Sequence, residues 1–355
     1  MSHEDLIIAL DAMGGDHGCA SVIPGAAQAL GEKPGLRFLL YGDETRIAPY
    51  LRKYPDLAKV SHIHHTSEFV HSEDKPSTAL RKGRKSSMRL AIDAVAQGKA
   101  QGVVSSGNTG ALMAMAKMVL KTLPQIHRPA IASVFPTEKG QTVVLDLGAN
   151  INADSENLAQ FAVLGAVYSK LLYQINNPVV GVLNVGSEDV KGHDRVRGAA
   201  AILSNVHFPG RYYGFVEGDD VFKGAVDVVV TDGFTGNIAL KMVEGVAEFI
   251  ASNIRNTFKS SVMARIGYLF ARPGLTKMRK RLDPRHYNGG IFMGLNGICI
   301  KSHGGSDSYA FSRAVLRAAN LIEGDFNNRA VLEIEKLINQ ESFFSEGQIE
   351  GGLSV

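Results

Sequence analysis

The chain has 355 residues, of which 45% are hydrophobic and 21% are charged, and its formal net charge is +3. These values are ordinary for a soluble globular protein with a large buried core. The two cysteines have no metal-binding spacing and exclude a disulfide framework, and no apolar run reaches the ~20 residues that cross a bilayer. The apolar run at 6–10 is also too short for a signal peptide, so we expect a cytoplasmic protein.

Apolar runs that end in glycine-containing turns alternate along the chain with stretches of helical periodicity. The apolar runs predict strands at 6–10, 37–41, 56–65, 102–106, 130–135, 142–147, 179–184, 228–230 and 294–300. The periodic stretches predict helices at 76–97, 111–121, 194–205 and 309–323, and after 18, 150, 237 and 330. This alternation indicates a three-layer αβα fold with a mixed, mostly parallel sheet. We expect one domain over 1–330, with two lobes around a cleft, and a C-terminal helix and tail over 331–355.

The turns after the predicted strands carry most of the polar residues that suit a binding site. In open α/β sheets, ligands bind beyond the carboxyl ends of the strands. We therefore expect one rim of the sheet to carry the loops at 11–18, 105–110, 146–150, 184–192, 231–237 and 301–307.

The segment 227–244, DVVVTDGFTGNIALKMVE, is the clearest example of this pattern. A buried strand leads into a glycine-rich turn and then into a helix, which Thr235 or Asn237 could cap. Such a turn directs backbone N–H groups and the positive end of a helix dipole at one point, which suits an anion. An ordinary strand-to-helix connection would have the same sequence features, so the segment alone leaves both interpretations open.

Two segments are strongly basic. Residues 75–89 contain six Lys or Arg and no acid, and residues 255–285 contain nine Lys or Arg and one acid. The second segment reads as an amphipathic helical hairpin with its turn at 272–274. Such a hairpin fits a membrane interface, an acidic partner, or a helical surface packed on the core or across a dimer contact. The expected apolar face consists of Val262, Ile266, Leu269, Phe270 and Leu275.

The motifs of the common catalytic classes are missing from the sequence. No G-x-G-x-x-G follows a predicted strand, and there is no phosphate-binding G-x-x-x-x-G-K-[ST], no G-x-S-x-G and no zinc spacing. The predicted rim instead offers hydroxyls and amides, together with Lys191 and His303. That inventory suits a reaction driven by positioning and charge stabilisation, such as the attack of phosphate on an acyl carbonyl.

Six segments resemble, in order, the bacterial acyl-ACP:phosphate acyltransferase family. They are IALDAMGGDHG (8–18), VSSGNTGALMA (104–114), RPAIASVFPT (128–137), LDLGAN (145–150), GVLNVGSEDVKG (181–192) and VVVTDGFTGNIALKMVEG (228–245). The resemblance implies transfer of a long-chain acyl group from acyl carrier protein to inorganic phosphate, at the entry to phospholipid synthesis. It also implies a homodimer and delivery of the product to a membrane glycerol-phosphate acyltransferase. The apolar face of the hairpin implies peripheral contact with the inner face of the cell membrane. We expect no metal, no cofactor and no nucleic-acid partner.

A more distant resemblance links 231–241 and 294–307 to phosphate acetyltransferases, whose fold is of the isocitrate/isopropylmalate dehydrogenase-like kind. The acetyltransferase pattern has Ser-Arg where this chain has Ser302-His303, and an acid where this chain has Tyr309. The acid–base roles of that family therefore do not transfer directly.

From the residues of the predicted rim and from the family resemblance, we expect Lys191, Asn237 and His303 to be catalytic. We expect phosphate to bind at Gly14, Gly15, Ser106, Gly107, Asn108, Thr109, Thr235 and Gly236. The acidic carrier protein is expected to dock on Arg81, Lys82, Arg84, Lys85, Arg279 and Lys280. Two alternatives stay open: a CoA-dependent, short-chain phosphotransacylase, and a membrane scaffold that binds a phosphorylated ligand without turnover.

Overall fold

The computed structural model describes residues 5–340, apart from the side chains of 279–282 and 284. The strands are β1 (Leu6–Asp11), β2 (Leu36–Gly42), β3 (Ser61–His65), β4 (Gly102–Ser105), β5 (Ala130–Thr137), β6 (Gly140–Leu145), β7 (Val179–Leu183), β8 (Arg211–Val216), β9 (Val228–Val230), β10 (Gly290–Met293) and β11 (Ile298–Lys301). The helices are α1 (Cys19–Glu32), α2 (Glu44–Leu51), α3 (Pro55–Lys59), α4 (Pro76–Lys82), α5 (Ser87–Ala96), α6 (Thr109–Leu120), α7 (Ser155–Tyr173), α8 (Asp194–Asn205), α9 (Gly218–Lys223), α10 (Gly233–Lys259), α11 (Val262–Leu282), α12 (Ser308–Glu323) and α13 (Phe326–Ile338), with a 3-10 turn at Pro284–Tyr287.

The described strands form one sheet in the order β3-β2-β1-β4-β11-β10-β5-β6-β9-β7-β8. Pairing is parallel except at β11/β10, β10/β5 and β5/β6. The predicted α/β class with a mostly parallel mixed sheet is thus confirmed. Because three successive antiparallel pairings separate β11 from β6, the strands from β6 to β8 run opposite to those from β3 to β11.

The reversal creates two places where the winding of the chain changes direction. In the first half, the chain moves from β1 outward through β2 to β3, and β4 then returns to the other side of β1. In the second half, β7 is followed outward by β8, and β9 returns to the other side of β7. Such switch points leave a crevice at the carboxyl ends of the two strands that flank them. We call them the β1/β4 crevice and the β7/β9 crevice, and they lie in different halves of the sheet.

The sheet buries apolar side chains on both faces because successive strand residues point to opposite sides. Ile8 and Leu10 of β1 pack into the larger core with Phe161 of α7 and Phe311 of α12, whereas Ala9 faces a second core beneath α5 and α6. A third, smaller core lies between the strands of the second half and the helices α9 and α10. Full burial of one such large apolar side chain stabilises the fold by about 1.5–3 kcal/mol.

Several predicted elements differ from those in the structure. The helix expected over 76–97 is two helices. Helix α4 ends at Lys82 with Gly83 as its C-cap, and Ser86 caps α5 by accepting from the backbone N–H of Arg89. The strand expected over 56–65 is the short helix α3 followed by β3, and the strand expected over 294–300 begins at Ile298. The strands β8 and β10 had no counterpart in the prediction.

The basic segment 255–285 also folds differently from the expected hairpin. The expected turn at 272–274 is wrong, because α11 continues through Pro273. The turn between the two helices is at Ser260-Ser261, where Ser261 caps α11 by accepting from the backbone N–H of Ala264. The rings of Phe258 and Tyr268 meet edge to face across this turn, with centroids 5.4 Å apart. None of the described helices combines the length and the apolarity of a membrane span.

Candidate functional site

The β7/β9 crevice is built on a buried carboxylate. Asp146, at the end of β6, accepts hydrogen bonds from the backbone N–H groups of Ile131, Gly148, Ala149 and Asn150 at 2.7–3.2 Å, and from the Asn150 amide at 2.9 Å. Burial raises the pKa of this carboxyl group, against the effect of those hydrogen bonds. The network fixes the loop 146–150 in a single shape beside the start of α10.

The first turn of α10 packs directly on that loop. A Cβ added to Gly236 would lie 1.9 Å from the carbonyl oxygen of Asp146, so glycine is required for this contact. The backbone N–H of Gly233 donates to the carbonyl oxygen of Asn150 at 2.8 Å. The expected cap is corrected: Asp232, and neither Thr235 nor Asn237, caps the helix, by accepting from the backbone N–H of Thr235 at 2.8 Å.

Asn237 therefore stays available at the mouth of the crevice. Its side chain is exposed and lies beside Gly148, where an added Cβ would be 3.4 Å from the amide oxygen. Thr235 is exposed as well, whereas Gly236 is buried. A helix N-terminus with an exposed amide and hydroxyl can donate to a bound oxyanion.

Lys191 comes from the loop that follows β7, the other flank of this crevice. Its side chain is 47% exposed, and its Nζ lies 2.7 Å from Glu188 Oε2. The hydrogen bond to Glu188 raises the pKa of Lys191, so the ammonium stays charged at neutral pH. Its carbonyl oxygen accepts from the side chain of Asn184 at 3.0 Å, which ties the lysine to the end of β7. The ammonium is thus held by a carboxylate of its own loop and stays accessible to solvent.

Exposed apolar side chains surround the β7/β9 crevice. Val185 and Val190 precede Lys191 in its loop and are 76% and 81% exposed. Ile151, next to the loop 146–150, is exposed as well, as are Phe234 and Ile238 in the first turns of α10. Contiguous exposed apolar groups are unusual on a monomer and mark contact with an apolar ligand or partner.

The β1/β4 crevice also contains a buried carboxylate. Asp11, at the end of β1, accepts from the hydroxyls of Ser87 and Ser105 at 2.6 and 2.7 Å and from the backbone N–H of Met13 at 3.3 Å. Burial raises the pKa of Asp11, and these hydrogen bonds oppose the rise. The Ser105 hydroxyl also accepts from the backbone N–H of Gly107, which links the loops after β1 and β4.

The glycines predicted to bind phosphate pack these two loops together. A Cβ on Gly14 would lie 2.8 Å from the backbone nitrogen of Gly107, and one on Gly15, whose φ is +80°, would lie 2.7 Å from Ser106 Cβ. Asn108 is committed to structure: it caps α6 through the N–H of Ala111 and donates to two carbonyl oxygens of the loop before α4. Thr109 is exposed.

The loop after β11 completes this crevice. Ser302 donates to the hydroxyl of Ser306 at 2.9 Å and accepts from the Asn288 amide, whose oxygen accepts from the backbone N–H of His303. The His303 ring is exposed, and its Nδ1 accepts from the backbone N–H of Gly305 at 3.1 Å. His303 is therefore held in place by its own loop.

Lys301 is a site residue that sequence reasoning missed. Its half-buried side chain lies between the loops after β4 and β11, and its Nζ donates to the carbonyl oxygens of Ser106, at 3.2 Å, and Ser302. Burial lowers the pKa of Lys301 to about 8, and the carboxylates of Asp11 and Asp16 counteract this only in part.

This buried ammonium predicts a pH-dependent stability. An unfolded lysine has a pKa near 10.4, so between pH 8 and pH 10.4 the unfolded chain holds more protons and the free energy of unfolding rises with pH. The cost of burying the charge is fully present below pH 8. We expect Lys301→Met to be more stable than the wild type at pH 7 by about 1–3 kcal/mol. This difference in the free energy of unfolding should shrink towards pH 10. Urea unfolding at pH 7, 8.5 and 10 measures this, and a less stable variant at pH 7 would contradict it.

The six loops expected on one rim belong to two halves of the sheet. Lys191, Thr235, Gly236 and Asn237 belong to the loops and helix start at the β7/β9 crevice. His303, with Gly14, Gly15 and the residues 106–109, belongs to the β1/β4 crevice in the other half. Between β11 and β9 lie three strands, a lateral separation of roughly 19 Å at the usual strand spacing.

The residues expected at the periphery are mostly exposed. Arg81, Lys82, Arg84 and Lys85 are exposed on α4 and on its connection to α5. The side chains of Arg279 and Lys280 lie outside the described residues. On α11, Val262, Ile266, Leu269 and Phe270 are exposed, Phe270 by 84%, and Leu275 is half-buried. Among the described residues, no cluster of three or more His, Cys, Asp or Glu side chains could hold a metal ion.

Comparison with known proteins places this architecture in a family. A model described as "Fatty acid synthesis protein" matches residues 6–329. The chain belongs to that family. Similar relatives are phosphate acyltransferases: that of Rhodospirillum centenum is 54% identical over 334 residues, 94% of each chain. That of Paramagnetospirillum magneticum is 52% identical over 330 residues, 93% of this chain and 94% of the relative. That of Caulobacter vibrioides is 47% identical over 348 residues, 98% of this chain and 97% of the relative.

Solved structures share the fold of this family member at low identity. A phosphotransacetylase from Streptococcus pyogenes superposes with a TM-score of 0.61 at 18% identity, covering 90% of this chain and 94% of the other. A branched-chain phosphotransacylase from Enterococcus faecalis gives a TM-score of 0.55 at 14% identity, covering 89% and 99%. The fold is therefore that of the phosphotransacetylases.

Proposed function

We propose that this protein transfers a long-chain acyl group from acyl carrier protein to inorganic phosphate, releasing acyl phosphate and free carrier for phospholipid synthesis. The observation that carries the proposal is the family match over 6–329, with phosphate acyltransferases about half identical over almost the whole chain. The carrier protein as acyl donor, and the domain division at 330, rest on the resemblance of the sequence motifs.

We place the reaction at the β7/β9 crevice, where Lys191 and Asn237 flank a helix N-terminus. A phosphate oxygen attacks the thioester carbonyl carbon, the carbon–sulfur bond breaks, and sulfur leaves with the bonding electron pair. Lys191 neutralises phosphate or the developing oxyanion as a point charge, and Asn237 donates a hydrogen bond. No acyl-enzyme forms.

His303 belongs to the loop after β11, at the β1/β4 crevice, and the departing sulfur needs no proton from it. A thiol with a pKa near 8.5 is a sufficiently good leaving group to depart as thiolate. Holding phosphate and thioester in attack geometry contributes about 7–11 kcal/mol to catalysis, and each oxyanion donor contributes about 3–4 kcal/mol. The exposed apolar residues around the crevice provide a surface for the acyl chain.

The deciding experiment is thiol release from palmitoyl-carrier protein with and without added phosphate. We expect release only with phosphate, and intact-mass spectrometry should find no acylated protein. Faster release from acetyl-CoA than from the carrier substrate would favour the short-chain phosphotransacylase. Phosphate binding without thiol release would favour the non-catalytic scaffold.

Carrier docking on the basic segment predicts a strong salt dependence. Arg81, Lys82, Arg84 and Lys85 are exposed, and among the described residues they form no ion pair with a carboxylate, so their charge is free to attract an acidic partner. We expect kcat/KM for the acyl carrier to fall at least tenfold between low salt and 0.5 M NaCl. The affinity for inorganic phosphate is measured in parallel by titration. A flat response would count against docking by charge.

We also propose homodimerisation and peripheral contact with the cell membrane, from which the product passes to a membrane glycerol-phosphate acyltransferase. The exposed apolar side chains of α10 and α11 support such contacts, among them Phe249, Leu269 and Phe270. Co-flotation with anionic vesicles should be lost in Leu269→Ser/Phe270→Ser. Equal flotation of this variant and the wild type would refute the membrane contact.

A further inference from the structure

The β1/β4 crevice contains a cation that no carboxylate neutralises by direct contact within the described residues. The Lys301 ammonium donates only to backbone carbonyl oxygens, those of Ser106 and Ser302. Carbonyl oxygens satisfy its hydrogen bonds and leave its net charge in place. A charge held away from water in this way is stabilised by an anion that reaches it.

The same crevice contains a hydroxyl without a partner. Ser106 is 2% exposed, and its Oγ has no hydrogen-bond partner among the described residues. Buried polar groups are nearly always paired with protein, water or ligand, so this hydroxyl is free to bond a ligand in the crevice. The carbonyl oxygen of Ser106 accepts a hydrogen bond from Lys301 Nζ. The unpaired Ser106 hydroxyl and the Lys301 ammonium therefore lie close together.

The topology independently points to this position. Lys301 and Ser106 lie at the carboxyl ends of β11 and β4, beside the point where the winding reverses between β1 and β4. Crevices of this kind hold ligands in doubly wound sheets. Gly14 and Gly15 bring the loop after β1 close against Ser106, which gives the crevice a backbone wall.

The charged groups around Lys301 come from three elements. Asp11 of β1 faces it at longer range and is already satisfied by two serine hydroxyls, and Asp16 is exposed on the loop before α1. His303 follows in the loop after β11, and β10 presents only Gly290 opposite Lys301. The two carboxylates disfavour a highly charged ligand and leave a singly charged oxyanion as the better match.

We propose that Lys301 and the hydroxyl of Ser106 bind a phosphate-class oxyanion in the β1/β4 crevice, apart from the Lys191 site. The proposal rests on the proposed function and deepens it, because that reaction offers two such oxyanions. One is inorganic phosphate, and the other is the phosphodiester that joins a carrier protein to its thiol arm. The basic segment 75–89 adjoins this crevice, because its Ser87 donates a hydrogen bond to Asp11. A carrier docked on that segment would bring its phosphodiester close to Lys301.

The test is a set of steady-state constants for thiol release by the wild type, Lys301→Met, Lys301→Arg and Ser106→Ala. We expect Lys301→Met to raise one KM at least tenfold with a smaller change in kcat, Ser106→Ala to raise the same KM several-fold, and Lys301→Arg to restore part of the loss. A raised KM for the acyl carrier identifies the phosphodiester as the ligand. A raised KM for phosphate identifies inorganic phosphate, and it would move the reacting phosphate from Lys191 to the β1/β4 crevice. Lys117→Met, at an exposed lysine of α6, is the matched control and should change neither.

A second readout uses pH. The wild-type KM in question should rise above pH 8 as Lys301 loses its proton, and in Lys301→Arg this rise should move to higher pH. If both KM values of Lys301→Met and Ser106→Ala stay within twofold of the wild type, the proposal is overturned. If the wild type itself releases no thiol with phosphate, the proposed function fails. Calorimetric titration with inorganic phosphate and with a pantetheine phosphodiester then tests the anion site by itself. Equal affinities of the wild type and Lys301→Met for both would then overturn the anion site.

Discussion

Replacing Lys191 with methionine is expected to lower turnover at least a hundredfold and to leave the unfolding midpoint unchanged. The side chain is exposed and its contacts are confined to its own loop, with Glu188 as its ion-pair partner, so the fold loses almost nothing. The transition state, in contrast, loses a charge beside the developing oxyanion. Removing one such donor costs about 3–4 kcal/mol, and a hundredfold loss corresponds to about 2.7 kcal/mol. Single-turnover thiol release and a urea titration measure the two quantities.

Two further variants separate the charge of Lys191 from general effects. Lys223→Met removes another exposed, ion-paired lysine, remote from Lys191 in sequence, and should leave turnover unchanged. Glu188→Gln removes the partner that competes with phosphate for Lys191, and should lower the phosphate KM several-fold. If Lys191→Met retained more than a tenth of the wild-type turnover, the reaction would not depend on this lysine, and the β7/β9 crevice would lose its main argument.

The location of the loops shows where sequence patterns stop being informative. Apolar runs and glycine turns were sufficient to predict most strands, among them the runs at 130–135 and 142–147, which pair as a hairpin. That hairpin, with the antiparallel pairings of β10, reverses the strand direction in the second half of the sheet. Periodicity reports which residues are buried but not which way a strand runs, so six loops that look equivalent in sequence divide between the two halves of the sheet.

The missed residues are charges whose burial depends on distant parts of the chain. Lys301 ends a short strand and reads as an ordinary surface lysine, but its ammonium is enclosed by the loop after β4, almost 200 positions earlier. Asp146 belongs to the motif at 145–150, and four of its five hydrogen bonds come from residues 148–150 of the same motif. The fifth, from the backbone N–H of Ile131, requires β5 to be paired beside β6. Lys191, in contrast, was found because it stands alone in a polar, glycine-rich loop.

The other large effect is expected from Gly236→Ala. An alanine Cβ would lie 1.9 Å from the carbonyl oxygen of Asp146, and neither group can yield, because Asp146 is fixed by its hydrogen bonds and Gly236 by the first turn of α10. Overpacking of this kind costs about 1–3 kcal/mol, and a backbone contact this short should reach the upper end or exceed it. Relief of the clash must push the helix N-terminus away from the loop 146–150, which displaces Asn237, so kcat/KM should fall with stability.

Gly245, about two and a half turns further along α10, provides the matched control. An added Cβ there meets no atom within 4 Å, so Gly245→Ala should stabilise the helix by about 0.5–1 kcal/mol, because alanine has the higher helix propensity. Urea unfolding and kcat/KM for both variants form one experiment with opposite signs for the two glycines. A Gly236→Ala protein as stable and active as the wild type would mean that α10 and the loop 146–150 are not locked together. The crevice would then have no rigid wall to hold phosphate against the thioester, and catalysis by positioning at this edge of the sheet would fail with it.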